Sequence, residues 1–205
     1  MSSVQLYDTT LRDGAQKEGI SFSVVDKLNI AQKLDELGIH FIEGGWPGSN
    51  PKDAEFFEKI QGLKLSSGQI AVFGSTRRAG IKAEEDGNLT MLVIAGVRVA
   101  TIVGKSSDMQ VTQVLETSLD ENLSMITDSI HYLREHGLSV FFDAEHFFDG
   151  FKTNPDYALR SLTIAAEAGA DCLVLCDTNG GALPDEVARA VEAAVKSTAV
   201  PVGIH

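Results

Sequence analysis

"LYDTTLRDGAQKEG", residues 6–19, follows an apolar stretch that opens at Val4. It crowds Asp8, Arg12, Asp13, Gln16, Lys17 and Glu18 among two threonines and two glycines. An apolar run that stops after five residues and gives way to charge reads as a short strand, VQLYD (4–8), delivering a polar loop. The same event recurs along the chain. HFIEGG (40–45), QIAVFG (69–74), VRVATIVG (97–104), LSVFFDAE (138–145), DCLVLCDTNGG (171–181) and VPVGIH (200–205) all read as strands, the sixth running into a turn.

Helical signals fill the intervals. Residues 23–38 space Val24, Leu28, Ala31, Leu34 and Leu37 along one face, with Ser23 as N-cap and Gly38 as the stop. A second helix, 51–62, carries Pro51 in its first turn. The pattern further predicts a helical region over 78–96 interrupted at Gly87, one long helix over 109–136 closed by Gly137, and helices over 154–169 and 183–197.

Six strand–helix units and a seventh strand imply an α/β protein with a parallel sheet covered by helices. No linker or low-complexity tract divides residues 1–205, so one domain is expected. A doubly wound sheet and a (β/α)8 TIM barrel both satisfy this alternation. No G-x-G-x-x-G follows any strand, which weakens the dinucleotide-binding version of the first. Polar residues follow nearly every strand: Asp8 to Asp13, Glu43, Ser75 to Arg78, Lys105, Asp143 and Glu145, Asp177 to Asn179, and His205. A barrel gathers such ends on one face, whereas an open sheet strings them along an edge. The barrel is therefore expected, though incomplete: seven strands and six helices, against about 250 residues for the usual whole one. The expectation is a catalytic domain truncated near the end of strand 7.

Composition narrows the partners. Hydrophobic content of 43% and charged content of 22% suit a globular protein. A net charge of −12 argues against nucleic acid or an anionic membrane as partner. With no run of 18 apolar residues and no signal-peptide pattern at the N-terminus, a cytoplasmic location is expected. Cys172 and Cys176, four residues apart on one strand, would stand roughly 13 Å apart, so they read as reduced thiols.

Strand periodicity sorts the polar residues. Phe41 and Glu43 share a face, as do Phe141, Asp143 and Glu145, and Gly203 and His205. Singly, Asp8 or Asp13 reads as a turn residue or cap. Together in a barrel mouth, carboxylates and an imidazole fit a divalent-metal site.

DTTLRDGAQ (8–16), IEGGWPGSNPKD (42–53), EHFFDG (145–150), CDTNGG (176–181) and GIH (203–205) occur in this order across nearly the whole chain. In these motifs the chain resembles the metal-dependent aldol/Claisen barrel enzymes. That family comprises the isopropylmalate, homocitrate and citramalate synthases, with the HMG-CoA lyases more distant. GGWPGSNPKD and AEHFFDG are most similar to the citramalate synthase branch. The resemblance implies an acyltransferase joining acetyl-CoA to a 2-oxoacid, with pyruvate as acceptor on a route to isoleucine. The alternatives are 2-oxoisovalerate as acceptor on a route to leucine, an HMG-CoA-lyase-like cleavage, and an inert scaffold. It also implies a divalent cation (Mg²⁺, Mn²⁺ or Zn²⁺), a C-terminal regulatory domain and a homodimer.

Roles carry over residue by residue. Asp13 and His205 match metal ligands, His205 being the first of an H-x-H pair whose second member would be residue 207. Without that partner and the eighth unit, the chain as given is expected to turn over little. Arg12 matches the arginine that holds the keto oxygen as it becomes an alkoxide, and Glu43 the acid that orients this arginine. Thr178 matches a contact to the 2-oxoacid carboxylate. Gln16 belongs near the metal, and Glu145 near the acetyl group. Asp8 is assigned to supporting the loop. Lys105, Arg77 and Arg78 are the nearest cations for CoA phosphates, with solvated surface charge as the competing reading. Trp46 is a candidate wall of the acceptor pocket.

Overall fold

The computed structural model describes residues 4–205. Tyr7–Asp8 forms strand β1, followed by helix α1 (Val24–Leu37), β2 (Phe41–Gly45), α2 (Pro51–Ile60), β3 (Gln69–Ser75), α3 (Gly87–Ile94) and β4 (Val99–Lys105). Then come α4 (Asp108–Gln113), α5 (Leu119–Glu135), β5 (Ser139–Glu145), α6 (Phe147–Thr153), α7 (Pro155–Glu167), β6 (Cys172–Leu175), α8 (Pro184–Ser197) and β7 (Val202–Ile204). The strands form one sheet in the order β1-β2-β3-β4-β5-β6-β7, every neighbouring pair parallel. This is a TIM-barrel-like α/β fold. All strands point the same way, so their C-terminal ends share one side of the molecule.

The expected helix ends are present. Ser23 and Asp26 form a capping box at the start of α1, and Gly38 ends it at φ 87° with its N–H on the carbonyls of Asp35 and Leu34. Asn50 caps α2 ahead of Pro51.

Other boundaries differ from expectation. The described residues hold eight α-helices rather than six. The helix expected over 109–136 is two, because Glu116 takes φ 51° and Ser118 starts α5 afresh, its hydroxyl accepting the Glu121 N–H. Within 78–96 only a short 3-10 turn (Ala83–Glu85) and α3 are helical, since Asp86 caps α3 by accepting the N–H groups of Asn88 and Leu89. The sixth strand ends at Leu175, and α6 fills the interval between the fifth strand and the helix expected over 154–169.

Burial follows the strand period of two. Ile42, Ile70, Val72, Ala100, Ile102, Val140 and Phe142 face the helices and form the main core. Phe41, Ala71, Val99 and Phe141 pack on the opposite, inner face with Tyr7 and Cys172. The same inner register continues upward as Glu43, Phe73, Thr101, Asp143 and Glu145. Apolar floor and polar mouth are thus one set of positions read along the strands.

Candidate active site

The floor is aromatic. Tyr7 and Phe41 rings lie 6.1 Å apart and Phe41 and Phe141 rings 4.9 Å apart, the latter edge to face. From this floor the Tyr7 hydroxyl donates to Glu43 Oε2 at 2.7 Å and stands 2.7 Å from Thr101 Oγ1. Glu43 has no exposed surface. Its other oxygen accepts the Arg12 Nε–H at 2.5 Å. Burial pushes the Glu43 carboxyl up, while the Arg12 charge and the Tyr7 hydroxyl pull it back. Burial, with the Glu43 charge, raises Tyr7 well above the ordinary phenol range, so it stays a donor.

The loop after β1 carries Arg12 over this carboxylate. Asp8 builds the turn, accepting the Thr10 N–H at 2.9 Å and the Thr10 hydroxyl at 3.1 Å. Its loop-supporting geometry is the one expected. The Arg12 guanidinium lies 3.8 Å over the Phe73 ring and also donates to Asp13 Oδ1 at 3.1 Å. An ion pair, a stacked ring and a rigid turn hold it in one place.

Above Arg12 opens a cavity of about 410 Å³. Of the residues singled out from sequence, Arg12, Asp13, Gln16, Glu145, Thr178 and His205 all line it, and Glu43 sits beneath. Asp143, Cys176, Trp46, Phe73 and Val103 also line it. Thr178 is set by the neighbouring loop: the His146 N–H, on a backbone at φ 57°, donates to Thr178 Oγ1 at 2.9 Å. The Asp149 carboxylate ties both loops together, meeting the His146 ring at 3.2 Å and Asn179 Nδ2 at 2.7 Å.

Two cations do not reach the cavity wall. Lys105 is ion-paired with Glu145. Arg77 is buried rather than solvated: its Nε donates to Asp128 at 2.8 Å and an NH1 group to Glu121 at 2.7 Å, both on α5. Neither offers a free charge for a CoA phosphate, and the surface-charge reading fails for Arg77 as well. Arg78 alone of the three is largely exposed, 3.5 Å from Asp86.

Asp143, Cys176 and His205 bring one potential ligand atom each within 4.8 Å of one another. Asp13 stands outside this group but lines the same cavity. Burial, then the Glu43 charge, raises the Asp143 carboxyl to about 8, and burial keeps the Cys176 thiol protonated. A cation there would favour the ionised carboxylate, and a carboxylate–imidazole donor set suits Mg²⁺, Mn²⁺ or Zn²⁺. From sequence, Asp143 is visible as sharing a strand face with Glu145, and Cys176 as a reduced thiol, yet neither carries a role there. Tyr7 was missed: nothing local tells that its hydroxyl meets Glu43.

The HMGL-like family model matches residues 3–205. The chain is 57% identical over 205 residues to an (R)-citramalate synthase of Geobacter sulfurreducens, covering all of this chain and 39% of that protein. It is 34% identical over 203 residues to a 2-isopropylmalate synthase of Methanocaldococcus jannaschii, covering 98% of this chain and 37% of that protein. It thus spans well under half the length of these curated relatives. A crystal structure of an HMG-CoA lyase from Brucella melitensis superposes with a TM-score of 0.78 at 18% identity, over 100% of this chain and 72% of that one. At that identity the likeness speaks to the fold.

Proposed function

The chain belongs to the HMGL-like family, and from that premise we propose that it is the barrel of an acyltransferase making (R)-citramalate. The reaction is a Claisen condensation of acetyl-CoA with pyruvate, dependent on a divalent cation. The observation that carries the chemistry is the Arg12–Glu43 pair, a buried carboxylate aiming a fixed guanidinium at the cavity floor. The choice of pyruvate is supported by the likeness to (R)-citramalate synthases, 57% against 34% for a 2-isopropylmalate synthase.

Arg12 donates to the keto oxygen of the acceptor and meets the negative charge as that oxygen becomes an alkoxide. Its charge is permanent, and Glu43 and Phe73 spare it any reorganisation. Thr178 already accepts the His146 N–H, which leaves its own O–H to donate to the acceptor carboxylate. Glu145 takes a proton from the acetyl methyl group, held in place by Lys105. The resulting carbon nucleophile bonds to the keto carbon, the alkoxide so formed takes up a proton to become the product hydroxyl, and water then cleaves the thioester and releases CoA. Asp13 and His205, with Gln16 close by, would hold the cation, which supplies Lewis acidity to the ketone. The proposal extends to a cytoplasmic homodimer with a C-terminal regulatory domain, on the strength of the resemblance alone; among the described residues no helix is long and apolar enough to cross a membrane.

The test is release of CoA thiol by the full-length protein from acetyl-CoA with pyruvate or 2-oxoisovalerate. Faster release with pyruvate, abolished by exhaustive chelation and restored by Mg²⁺, Mn²⁺ or Zn²⁺, is expected. Preference for the branched acid, or full activity after chelation, overturns the reading.

A further inference from the structure

We propose that Trp46 is a fixed wall that decides which 2-oxoacid is accepted, and that Asn88 is the positioning residue that holds it; the inference rests on the condensation proposed above. Trp46 follows β2 and reaches the cavity beside Phe73 of β3 and Val103 of β4. Three separate tethers restrain it. The indole Nε1–H donates to Asn88 Oδ1 at 2.6 Å. Its backbone N–H donates to Asp53 Oδ2 at 2.9 Å. Its ring meets Phe73 edge-on, with centroids 5.5 Å apart at 78°.

Each tether is itself anchored. Asn88 lies in the first turn of α3, its Nδ2 donating to the Ser75 carbonyl at 2.9 Å and its own N–H donating to Asp86 at 2.8 Å. Asp53 is ion-paired with the buried Lys27, whose Nζ also donates to the Gly44 carbonyl at 2.9 Å. Gly45, at φ 146°, lets the chain pass over that carboxylate; a Cβ there would overlap Asp53. Phe73 lies under Arg12. An indole held at its ring, its nitrogen and its backbone cannot swing aside for a larger guest.

The cavity's chemistry says what meets this wall. A 2-oxoacid places three groups around a planar carbonyl carbon: the oxygen, the carboxylate and the side chain. With the oxygen at Arg12 and the carboxylate at Thr178, after β6, the side chain takes the remaining direction, toward β2–β4. There the lining is Trp46, Phe73 and Val103, the apolar part of a cavity otherwise walled by charged and polar groups. A methyl group fits against such a wall, and each added carbon meets an indole that has no freedom to retreat.

The experiment measures kcat/KM of the full-length protein for pyruvate, 2-oxobutyrate and 2-oxoisovalerate by thiol release. In Trp46→Ala the ratio of 2-oxobutyrate to pyruvate is expected to rise about tenfold or more, the lower end of what one methylene is worth in a pocket. Asn88→Leu keeps the ring but removes its acceptor, and should shift the ratio the same way by a smaller factor. Should Trp46→Ala fail to fold by circular dichroism, Trp46→Leu and Asn88→Leu carry the test. An unchanged ratio with activity lowered equally for all three acids overturns the wall alone. If the unsubstituted enzyme releases thiol with none of them, the condensation falls and the wall with it.

Discussion

Glu43 shows how one residue couples burial to chemistry. With no exposed surface, it has no water to stabilise its charge, and its two oxygens are taken by Arg12 and Tyr7. Glu43→Gln keeps the shape but sets an amide where Arg12 needs an anion, so the guanidinium loses its aim. We expect kcat to fall about 100-fold, the usual cost of a misplacement near 1 Å, with little change in KM for acetyl-CoA. Steady-state kinetics with an unchanged kcat would refute the orienting role. At this scale the sequence was legible where a residue's neighbours lie on its own strand. Phe41 below Glu43 and Asp143 below Glu145 follow from the period of two. It was not legible where the partner is distant. Arg77 reads as a spare cation until Glu121 and Asp128, 44 and 51 residues away, are seen to neutralise it. Tyr7 meets Glu43 only because β1 pairs with β2 in the register Tyr7↔Phe41.

Elements were legible to the extent that their ends are written in side chains. Ser23, Gly38 and Pro51 mark α1 and α2 unambiguously. The break between α4 and α5 was hidden because apolar spacing continues across Glu116, although Ser118 and Glu121 form a capping pattern three residues apart. One acid near the end of α1 does more than cap. Asp35 accepts the N–H groups of Ser66, Ser67 and Gly68 at 2.6, 2.9 and 2.7 Å, binding α1 to the approach to β3. These bonds, that from Ser66 first, lower its pKa from 3.8 to about 2. Because the folded value is depressed, this stabilisation is present above pH 3.8 and lost as pH falls through about 2. Asp35→Ala should therefore cost about 2–3 kcal/mol at pH 7 by urea unfolding, the scale of hydrogen bonds to a charged group. Its stability should also change less than the parent's between pH 4 and 2, because the parent alone has this contribution to lose. Parallel acid limbs would show that Asp35 contributes nothing beyond its neutral form.

Across the whole molecule, stability and chemistry occupy opposite ends of the same strands. The inner face runs from Phe41, Ala71, Val99 and Phe141 at the floor to Glu43, Thr101, Asp143 and Glu145 at the mouth, while Ile42, Val72, Ile102 and Phe142 on the helix-facing side belong to the main core. Alternation of strands and helices made this architecture readable from sequence, because each polar strand end marks the same side of a parallel sheet. The division has a consequence that single-site chemistry does not. Leu133, fully buried on α5, lies where that helix turns into β5, its carbonyl accepting the Leu138 N–H at 3.1 Å. That is the N-terminal end of the strand, far from Asp143 and Glu145 at the other. Leu133→Ala removes core volume and should cost about 2–5 kcal/mol, lowering the urea midpoint of the full-length protein. At 25 °C, where the folded form still dominates, its kcat and its KM for pyruvate should match the parent's. Glu43→Gln should lose kcat even in a sample that is fully folded at 25 °C. If Leu133→Ala instead lowered kcat in a fully folded sample, the two ends would be mechanically coupled, and the mouth could not be treated as a site mounted on an independent scaffold.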